Sequence, residues 1–413
     1  MNDATNLRRA IVVCALGYFI DVFDIQLFGV LRVPSLTEMG VPADRLATIG
    51  GYILNAQMIG MVLGAFLWGF LGDRLGRLKA LYGSILIYSV GTFACGFVHD
   101  PMTYGILRVG TGFGLAGETG AALTLIAEMM PALKRTWGLI TVAGIGFLGP
   151  VAAILISWVT PWRETYMVAG VLGIIILALR IRLGEPHLFT NLVQKNVLRG
   201  SWGLLLQKPQ MLTMTKCVLI GLPLTYGWFL LNFFSAEIAH AVLLPEATFN
   251  QKVCMIFFFL GTACGDVLSA FASHFWQSRR RTLALFYAIG SIASLATLVV
   301  GAKIGLPTWL FYSLYFAIGI AAGAWVVINT MFLENFGTNI RATASIVLIN
   351  FVRGASIPIL VVFQTLRQTL GTTEAAVLIG CVVYTVGFWA LKHSRETHGL
   401  DLDYVETREP AKP

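Results

Sequence analysis

The chain has 413 residues, of which 57% are hydrophobic and only 12% are charged, and its formal net charge is +8. A typical soluble domain carries roughly 25% charged residues, so this composition excludes an ordinary water-soluble fold and predicts helices that face lipid. The basic residues lie in short segments between apolar runs, which is typical of membrane topology and not of nucleic-acid binding. No nucleic-acid partner is therefore expected.

Twelve apolar runs follow one another along the chain, each about long enough to cross a bilayer. Six precede a polar segment at residues 184–210, and six follow it. In chain order they are Ala10–Leu31, Ala47–Phe70, Ala80–Val98, Thr103–Met130, Trp137–Val159, Thr165–Leu183, Met211–Phe234, Val253–Ala272, Leu283–Val300, Thr308–Met331, Ala344–Leu366 and Ala375–Leu391. The pattern predicts an all-α membrane protein with twelve transmembrane helices.

The distribution of basic residues predicts the orientation. With the N-terminus inside, 21 of the 29 Lys and Arg residues lie on the cytoplasmic side and 6 on the outer side, while Arg108 and Arg353 fall within runs. Positively charged loops stay in the cytoplasm. We therefore expect an integral protein of the inner or plasma membrane with both termini in the cytoplasm.

The two sets of six runs resemble each other. Glu128 precedes Arg135 by seven residues after the fourth run, and Glu334 precedes Arg341 by seven residues after the tenth. Such internal repeats are common in secondary transporters. The repeat predicts two pseudo-symmetric six-helix bundles at residues 1–183 and 211–392, a cytoplasmic linker at 184–210 and a cytoplasmic tail at 393–413.

The turn after the second run is the most specific motif of the chain, Gly69-Phe-Leu-Gly-Asp-Arg-Leu-Gly-Arg-Leu-Lys79. With this turn, the chain resembles the major facilitator superfamily over nearly its whole length. Leu107-Arg108 with Gly112 is similar to the proton-coupling signature of the fourth helix in that family. Asp21-Val-Phe-Asp24 and Ala116-Gly-Glu-Thr-Gly-Ala121 are similar to motifs of its proton-coupled organic-acid and metabolite symporters.

The resemblance implies that the two bundles surround a central cavity and open it to either side in turn. It also implies that Asp73, at the end of the second helix, lies against the N-terminus of the eleventh helix. Arg77 is expected to reach Glu128 at the base of the fourth helix. The predicted gating residues are Gly69, Asp73, Arg74, Gly76, Arg77, Glu128, Arg135, Glu334 and Arg341. Because Gln277 and Ser278 replace the Asp-Arg expected in the second half, only the first-half gate is predicted to be fully built.

Four ionisable residues in the first and fourth runs are candidates for proton coupling: Asp21, Asp24, Arg108 and Glu118. Charged groups at membrane depth cost about 2.5–3.5 kcal/mol each on insertion scales, so they indicate function. Counting from the two membrane surfaces places Arg108 near the level of Asp24, and Glu118 near that of Asp21. The alternative is a purely structural ion pair that joins the first and fourth helices.

Arg353, in the eleventh run, has two possible partners. It could bind an anionic substrate in the cavity, or it could neutralise Asp266 of the eighth run. The candidates for substrate binding are Arg108, Arg353, Asn232, Asn329, Tyr226, Trp325 and Asp266.

These features favour a secondary active transporter that moves a small organic solute, a carboxylate or other anionic metabolite, together with protons. The alternatives are a proton-coupled antiporter that exports a cationic or drug-like solute, and a sensor that binds a ligand without transporting it. No catalytic or metal-binding motif appears, so neither enzyme activity nor a cofactor or metal is expected. The expected partners are the solute, protons and the lipid bilayer, and the expected state is a monomer.

Overall fold

The computed structural model of the chain describes residues 3–74, 77–118, 138, 141–142, 144–180, 202–400 and 406. Nearly all of the regular structure in these ranges is helical, and a single bridge between Leu243 and Leu306 is the only extended pairing there. The helices of the first half are α1 Asp3–Glu38, α2 Leu46–Arg74, α3 Arg77–Cys95, α4 Pro101–Leu115, α5 Gly149–Val159 and α6 Trp162–Arg180.

The second half has the same number of crossings, but two of them are divided. Its helices are α7 Lys208–Thr225, α8 Gln251–Trp276, α9 Arg279–Leu295, α10a Thr308–Ala322, α10b Trp325–Glu334, α11a Arg341–Gly354, α11b Ser356–Leu370 and α12 Thr372–Lys392. Shorter pieces join them: Ala43–Arg45, Trp202–Leu205, Ser235–Val242, Gly301–Ile304 and the π-helical segments Tyr226–Leu231 and Ala296–Val300.

The described helices are built to cross a membrane. Nine of them are long and apolar enough to do so by length and composition, and the apolar helix Gly144–Val159 is shorter. The predicted all-α membrane architecture is confirmed: six of these nine spans lie in the second half, and α1 to α6 are the six helices of the first half. Most helices extend about one turn beyond the predicted apolar run, because polar residues complete their ends. The end of the fourth predicted run, at residues 119–130, lies outside the described residues.

Both halves contain a pair of helices whose backbones touch at glycine residues. We call such a contact a glycine seam, and its position shows the symmetry of the two halves. In the first half α2 packs on α4, and a Cβ atom at Gly60 or Gly112 would clash with a backbone carbonyl of the facing helix. In the second half α8 packs on α10a in the same way, through Gly261 and Gly319. Small residues let helix backbones approach closely in a membrane. Each bundle therefore contains a tightly packed helix pair at an equivalent position.

Breaks in the helices of the second half have local causes. Pro223 lies inside α7, and a π-helical segment begins three residues later. Pro358 stands four residues after Gly354, where its ring would clash with the carbonyl group of a continuous helix, and α11 is divided at Ala355. A further break separates α10a from α10b at Gly323. These breaks expose backbone groups in the interior of the bundle.

The two halves meet along α2 and α11. Near one end, Gly51 lies against Gln364, and near the other Thr343 Oγ1 donates a hydrogen bond to the Gly69 carbonyl at 3.0 Å. We name the end around Arg32, Ser157, Glu237 and Arg367 the upper face, and the end around Gly69, Arg279, Glu334 and Thr343 the lower face.

The glycine seam gives a test with an internal control on one helix. Gly112→Ala should lower the thermal unfolding temperature of the purified protein, because the added methyl group meets the Gln57 carbonyl and overpacking costs about 1–3 kcal/mol. Gly110→Ala should leave the temperature unchanged or raise it, since nothing lies within 4 Å of its Cβ position. Equal effects of the two substitutions would contradict the seam.

Candidate functional site

A buried ion pair joins α1 to α4 within the first half. Arg108 Nη1 lies 3.5 Å from Asp24 Oδ1, and Thr92 Oγ1 of α3 donates to Asp24 Oδ2 at 2.5 Å. Arg108 Nη2 also donates to the hydroxyl of Tyr166 on α6 at 2.9 Å, and that hydroxyl contacts Tyr104. Both charged side chains are essentially inaccessible to solvent. Four helices therefore converge on one charge pair.

A second pair joins the two halves. Asp21 lies one helical turn before Asp24, and its Oδ2 is 3.9 Å from Nη2 of Arg353 on α11a. The Arg353 guanidinium lies 6.0 Å from the ring centre of Trp325 on α10b. The side chain of Tyr18 is within electrostatic range of both members of the pair. Asp21 and Asp24 thus reach arginines in different bundles, although they share one face of α1.

The expected alternative in which Arg353 neutralises Asp266 is wrong. Among the residues that the structure describes, Asp266 forms no ion pair, and its Oδ1 accepts a hydrogen bond from the backbone N–H of Val326 at 2.7 Å. The break in α10 explains the difference, because it presents a free helix N-terminus to the Asp266 carboxyl group. Arg353 is then available to Asp21.

Several buried polar groups near the contact between the halves have no hydrogen-bond partner in the described part of the chain. Both amide atoms of Gln57 and of Asn232 belong to this set, as do the Trp228 and Trp325 indole N–H groups and Asn329 Oδ1. Buried polar groups normally have partners. An occupant that supplies donors and acceptors, either a solute or water, would satisfy them.

The rings in this region form a continuous aromatic wall. Trp228 contacts Trp325 at 6.0 Å and Phe147, two residues before α5, at 5.5 Å between ring centres. Trp325, Asn232 and Asn329 were predicted from the sequence, whereas Gln57 was not selected. The available signal for Gln57 was an amide side chain within the second apolar run, which also contains Asn55.

Two further predicted residues, Tyr226 and Glu118, are not among the rings and amides described above. The hydroxyl of Tyr226 donates to the Ala376 carbonyl of α12 at 2.9 Å, and its ring packs on Tyr384. It therefore joins helices within the second bundle. Glu118 is fully buried just beyond the end of α4.

Contacts between the halves close the upper face. Arg32 Nη2 lies 3.0 Å from Glu237 Oε1, and the Arg32 guanidinium is 4.6 Å from the ring centre of Phe233. Lys252 Nζ of α8 donates to the Ser157 carbonyl of α5 at 2.8 Å. The sequence reasoning used Arg32 only for topology and did not select Glu237 or Lys252.

At the lower face, part of the predicted first-half gate is visible. Gly69 contacts Thr343 in the first turn of α11a, so the end of α2 lies at the start of the eleventh crossing. Arg74 is exposed and lies 4.5 Å from the ring centre of Phe70. The other predicted gating positions of this half fall outside the described residues or side chains: Asp73, Gly76, Arg77, Glu128 and Arg135.

The second half carries an ion pair at the equivalent position. Arg279 begins α9 as Arg77 begins α3, and its Nη2 lies 2.9 Å from Glu334 Oε1. Arg341, another predicted gating residue, donates from Nε to the Leu333 and Phe336 carbonyls at 3.2 Å. The first turn of α11a is thereby tied to the end of α10b.

A carboxylate from the segment after α12 completes this cluster. Glu396 accepts hydrogen bonds from Ser278 Oγ at 2.5 Å and from the Arg279 backbone N–H at 2.9 Å. The expectation of a gate fully built only in the first half overlooked Glu396, because this acid lies more than a hundred residues from the turn that it caps. Arg395 also donates to Asn335 Oδ1 at 2.8 Å. Part of the predicted tail is therefore packed on the lower face.

Residues 14–361 match the Major Facilitator Superfamily, and the chain belongs to this family. It is 26% identical over 347 residues to a putative niacin/nicotinamide transporter of Bacillus subtilis, covering 82% of this chain and 83% of that protein. It is 30% identical over 174 residues to a gallate transporter of Pseudomonas putida, covering 41% and 38%.

Among solved structures, a proton:xylose symporter superimposes with a TM-score of 0.73 at 16% identity, covering 97% of this chain and 98% of that one. At this identity the likeness establishes the fold alone. Together, the family match and the transporter relatives identify an integral membrane transporter of small organic solutes and not an enzyme.

The Asp24–Arg108 pair gives a prediction for stability. Arg108→Met leaves the Asp24 carboxylate buried without its cation and should destabilise the protein by about 3–5 kcal/mol. Adding Asp24→Asn removes that charge and keeps an acceptor for Thr92, so the double variant should unfold at a higher temperature than the single one. The thermal unfolding temperatures of the three purified proteins decide this. A double variant no more stable than Arg108→Met would contradict it.

The Glu396 cap should make the lower face sensitive to acid. Burial raises the pKa of Glu396, but hydrogen bonds from Ser278 and from the backbone N–H groups of Arg279, His398 and Arg280 outweigh it and lower the pKa below its usual value. A carboxylate with a lowered pKa stabilises the fold at neutral pH, and this stabilisation is lost as the pH falls through the lowered pKa.

Glu396→Gln should therefore reduce the thermal unfolding temperature at neutral pH, and the difference from the wild type should shrink in acid. The matched control is Glu246→Gln, which changes an exposed carboxylate and should have little effect at either pH. A difference between Glu396→Gln and the wild type that stays constant with pH would argue against the cap.

Proposed function

We propose that the protein transports a small carboxylate together with protons and that the solute carboxylate binds Arg353. The observation that carries the proposal is the contact between Arg353 and Asp21, which links the two halves at 3.9 Å. A direct charge-assisted hydrogen bond is shorter, at about 2.7–2.9 Å. Arg353 therefore has a partner that an incoming anion can replace.

The surroundings of Arg353 suit a ring-bearing carboxylate. Trp325 lies beside the guanidinium and contacts Trp228, and aromatic faces stack well on flat solutes. Asn232 and Asn329 offer unsatisfied amide groups that can bind ring substituents. The names of two relatives, a niacin/nicotinamide transporter and a gallate transporter, support this choice of solute class.

Proton coupling follows from the competition between two anions for one arginine. When the solute carboxylate occupies Arg353, the contact between Asp21 and this cation weakens, and a buried carboxylate with less positive charge beside it binds a proton more readily. Solute and proton then enter together, and the interior carries no uncompensated charge. Asp24, Arg108 and Glu118 extend this set of charges within the first half.

Alternating access would use the contacts at the two faces. Opening the upper face requires the Arg32–Glu237 pair and the Lys252–Ser157 contact to break, and opening the lower face requires α2 to leave the start of α11a. We assign Asp73, Gly76, Arg77, Glu128 and Arg135 to the lower gate, with Gly69, Arg74, Glu334 and Arg341. The excess of basic residues there supports a cytoplasmic lower face in the inner or plasma membrane, and one chain contains the whole pathway.

Counterflow in proteoliposomes tests this function. Labelled gallate, nicotinate and lipophilic cations are compared as external tracers, and we expect exchange of at least one carboxylate and accumulation driven by an inward proton gradient. Arg353→Gln should abolish carboxylate exchange, because it removes the charge that binds the anion. Lys303→Gln, which removes an exposed cation, is the matched control and should retain exchange. Exchange of cations without carboxylates would instead identify the antiporter alternative.

A further inference from the structure

The break in α10 is closed by a carboxyl group from α8. Asp266 Oδ1 accepts the backbone N–H of Val326, the second residue of α10b, at 2.7 Å. At the break itself, Gly323 packs directly on the backbone of α8, where a Cβ atom would clash with the Thr262 carbonyl. The geometry of the break therefore depends on α8, and the Asp266 side chain is its polar contact.

Asp266 differs from three other buried carboxylates. Asp21, Asp24 and Glu334 each lie within ion-pair distance of an arginine. Asp266 is only 1% exposed, and its Oδ2 has no hydrogen-bond partner in the described ranges. Its single contact there is to a neutral backbone group.

Two effects compete for the charge state of this carboxyl group. A helix N-terminus favours an anion modestly, whereas burying a charge without an ion-pair partner is strongly unfavourable. The burial cost is larger, so the neutral acid is favoured while the site is closed. In that form Oδ1 still accepts the Val326 N–H, and the proton resides on Oδ2.

The charged and titratable groups that reach this region belong to other helices. Tyr18 of α1 is within electrostatic range of Asp266, Asp21 and Arg353. Arg353 of α11a is engaged by Asp21. From α10b, the nearby predicted site residues are Trp325 and Asn329, which do not titrate.

We propose that Asp266 is a proton-carrying positioning residue that couples protonation to the geometry of the α10 break. As a neutral acid it caps α10b and holds the closed arrangement. When water enters, Asp266 loses its proton, the new charge is hydrated, and the contact with α10b changes. Because α10b carries Trp325 and Asn329, this step would reposition the solute site; that consequence rests on the proposed function, whereas the protonation itself does not.

Infrared difference spectroscopy of the full-length protein tests the protonation directly. At neutral pH the wild type should show the carbonyl stretch of a buried carboxylic acid, and Asp266→Asn should lose it. Asp266→Glu, which keeps an acid at the site, should shift the band, and Glu246→Gln should leave it unchanged. An unaltered band in Asp266→Asn or Asp266→Glu, or no such band in the wild type, would overturn the proposal.

Hydrogen exchange at the start of α10b tests the positioning role. Asp266→Asn keeps an oxygen acceptor and should preserve the slow exchange of Val326, whereas Asp266→Ala should exchange about fivefold faster, the factor expected for a lost helix cap of typical strength. Equal exchange in the two variants would refute the role. Neither the infrared measurement nor the hydrogen-exchange measurement requires transport. A failure of carboxylate counterflow would therefore overturn the proposed function without affecting the test of Asp266.

Discussion

Two aspartates on one turn of α1 reach arginines in opposite halves, and the arrangement of the interior depends on this division. Asp24 pairs with Arg108 inside its own bundle, where Thr92 and Tyr166 complete the hydrogen bonds. Asp21 pairs with Arg353 of the other bundle and has a longer contact. Because a buried charge without a partner costs several kcal/mol, neither arginine can lose its acid without gaining another anion. The first pair therefore fixes helices within a bundle, and the second is suited to exchange partners when the bundles move.

The packing of the helices differs between the interior of each half and the contact between the halves at the upper face. Glycine seams bring α2 onto α4 and α8 onto α10a so closely that an added methyl group would clash with backbone atoms. Interfaces of this kind do not slide easily, since packed backbones leave no room for adjustment. Contacts between the halves use side chains at the upper face, as in the Arg32–Glu237 pair, and these can separate without disturbing either seam.

Several crossings of the second half contain irregular backbone. The π-helical segment after Pro223, the break at Gly323 and the break at Ala355 all lie within apolar crossings. In a membrane, such interruptions persist only where protein or cavity groups satisfy the freed backbone. Asp266 does this at the second break. The second half thus places helix breaks beside Trp325 and Arg353, whereas α1 and α2, which carry the aspartates and Gln57 in the first half, are continuous.

The sequence by itself determined the membrane class, the number of crossings and the closeness of Asp24 to Arg108, because hydrophobic length and distance from the membrane surface fix the depth of each residue along a helix. It did not determine which way a side chain points around the helix axis or which distant segments meet. Only the tertiary structure decided that Arg353 contacts Asp21 and not Asp266, that Tyr226 faces α12, and that Glu396 caps the start of α9. Each depends on the rotation of a helix or on a contact across many residues, and an apolar run of uniform composition records neither.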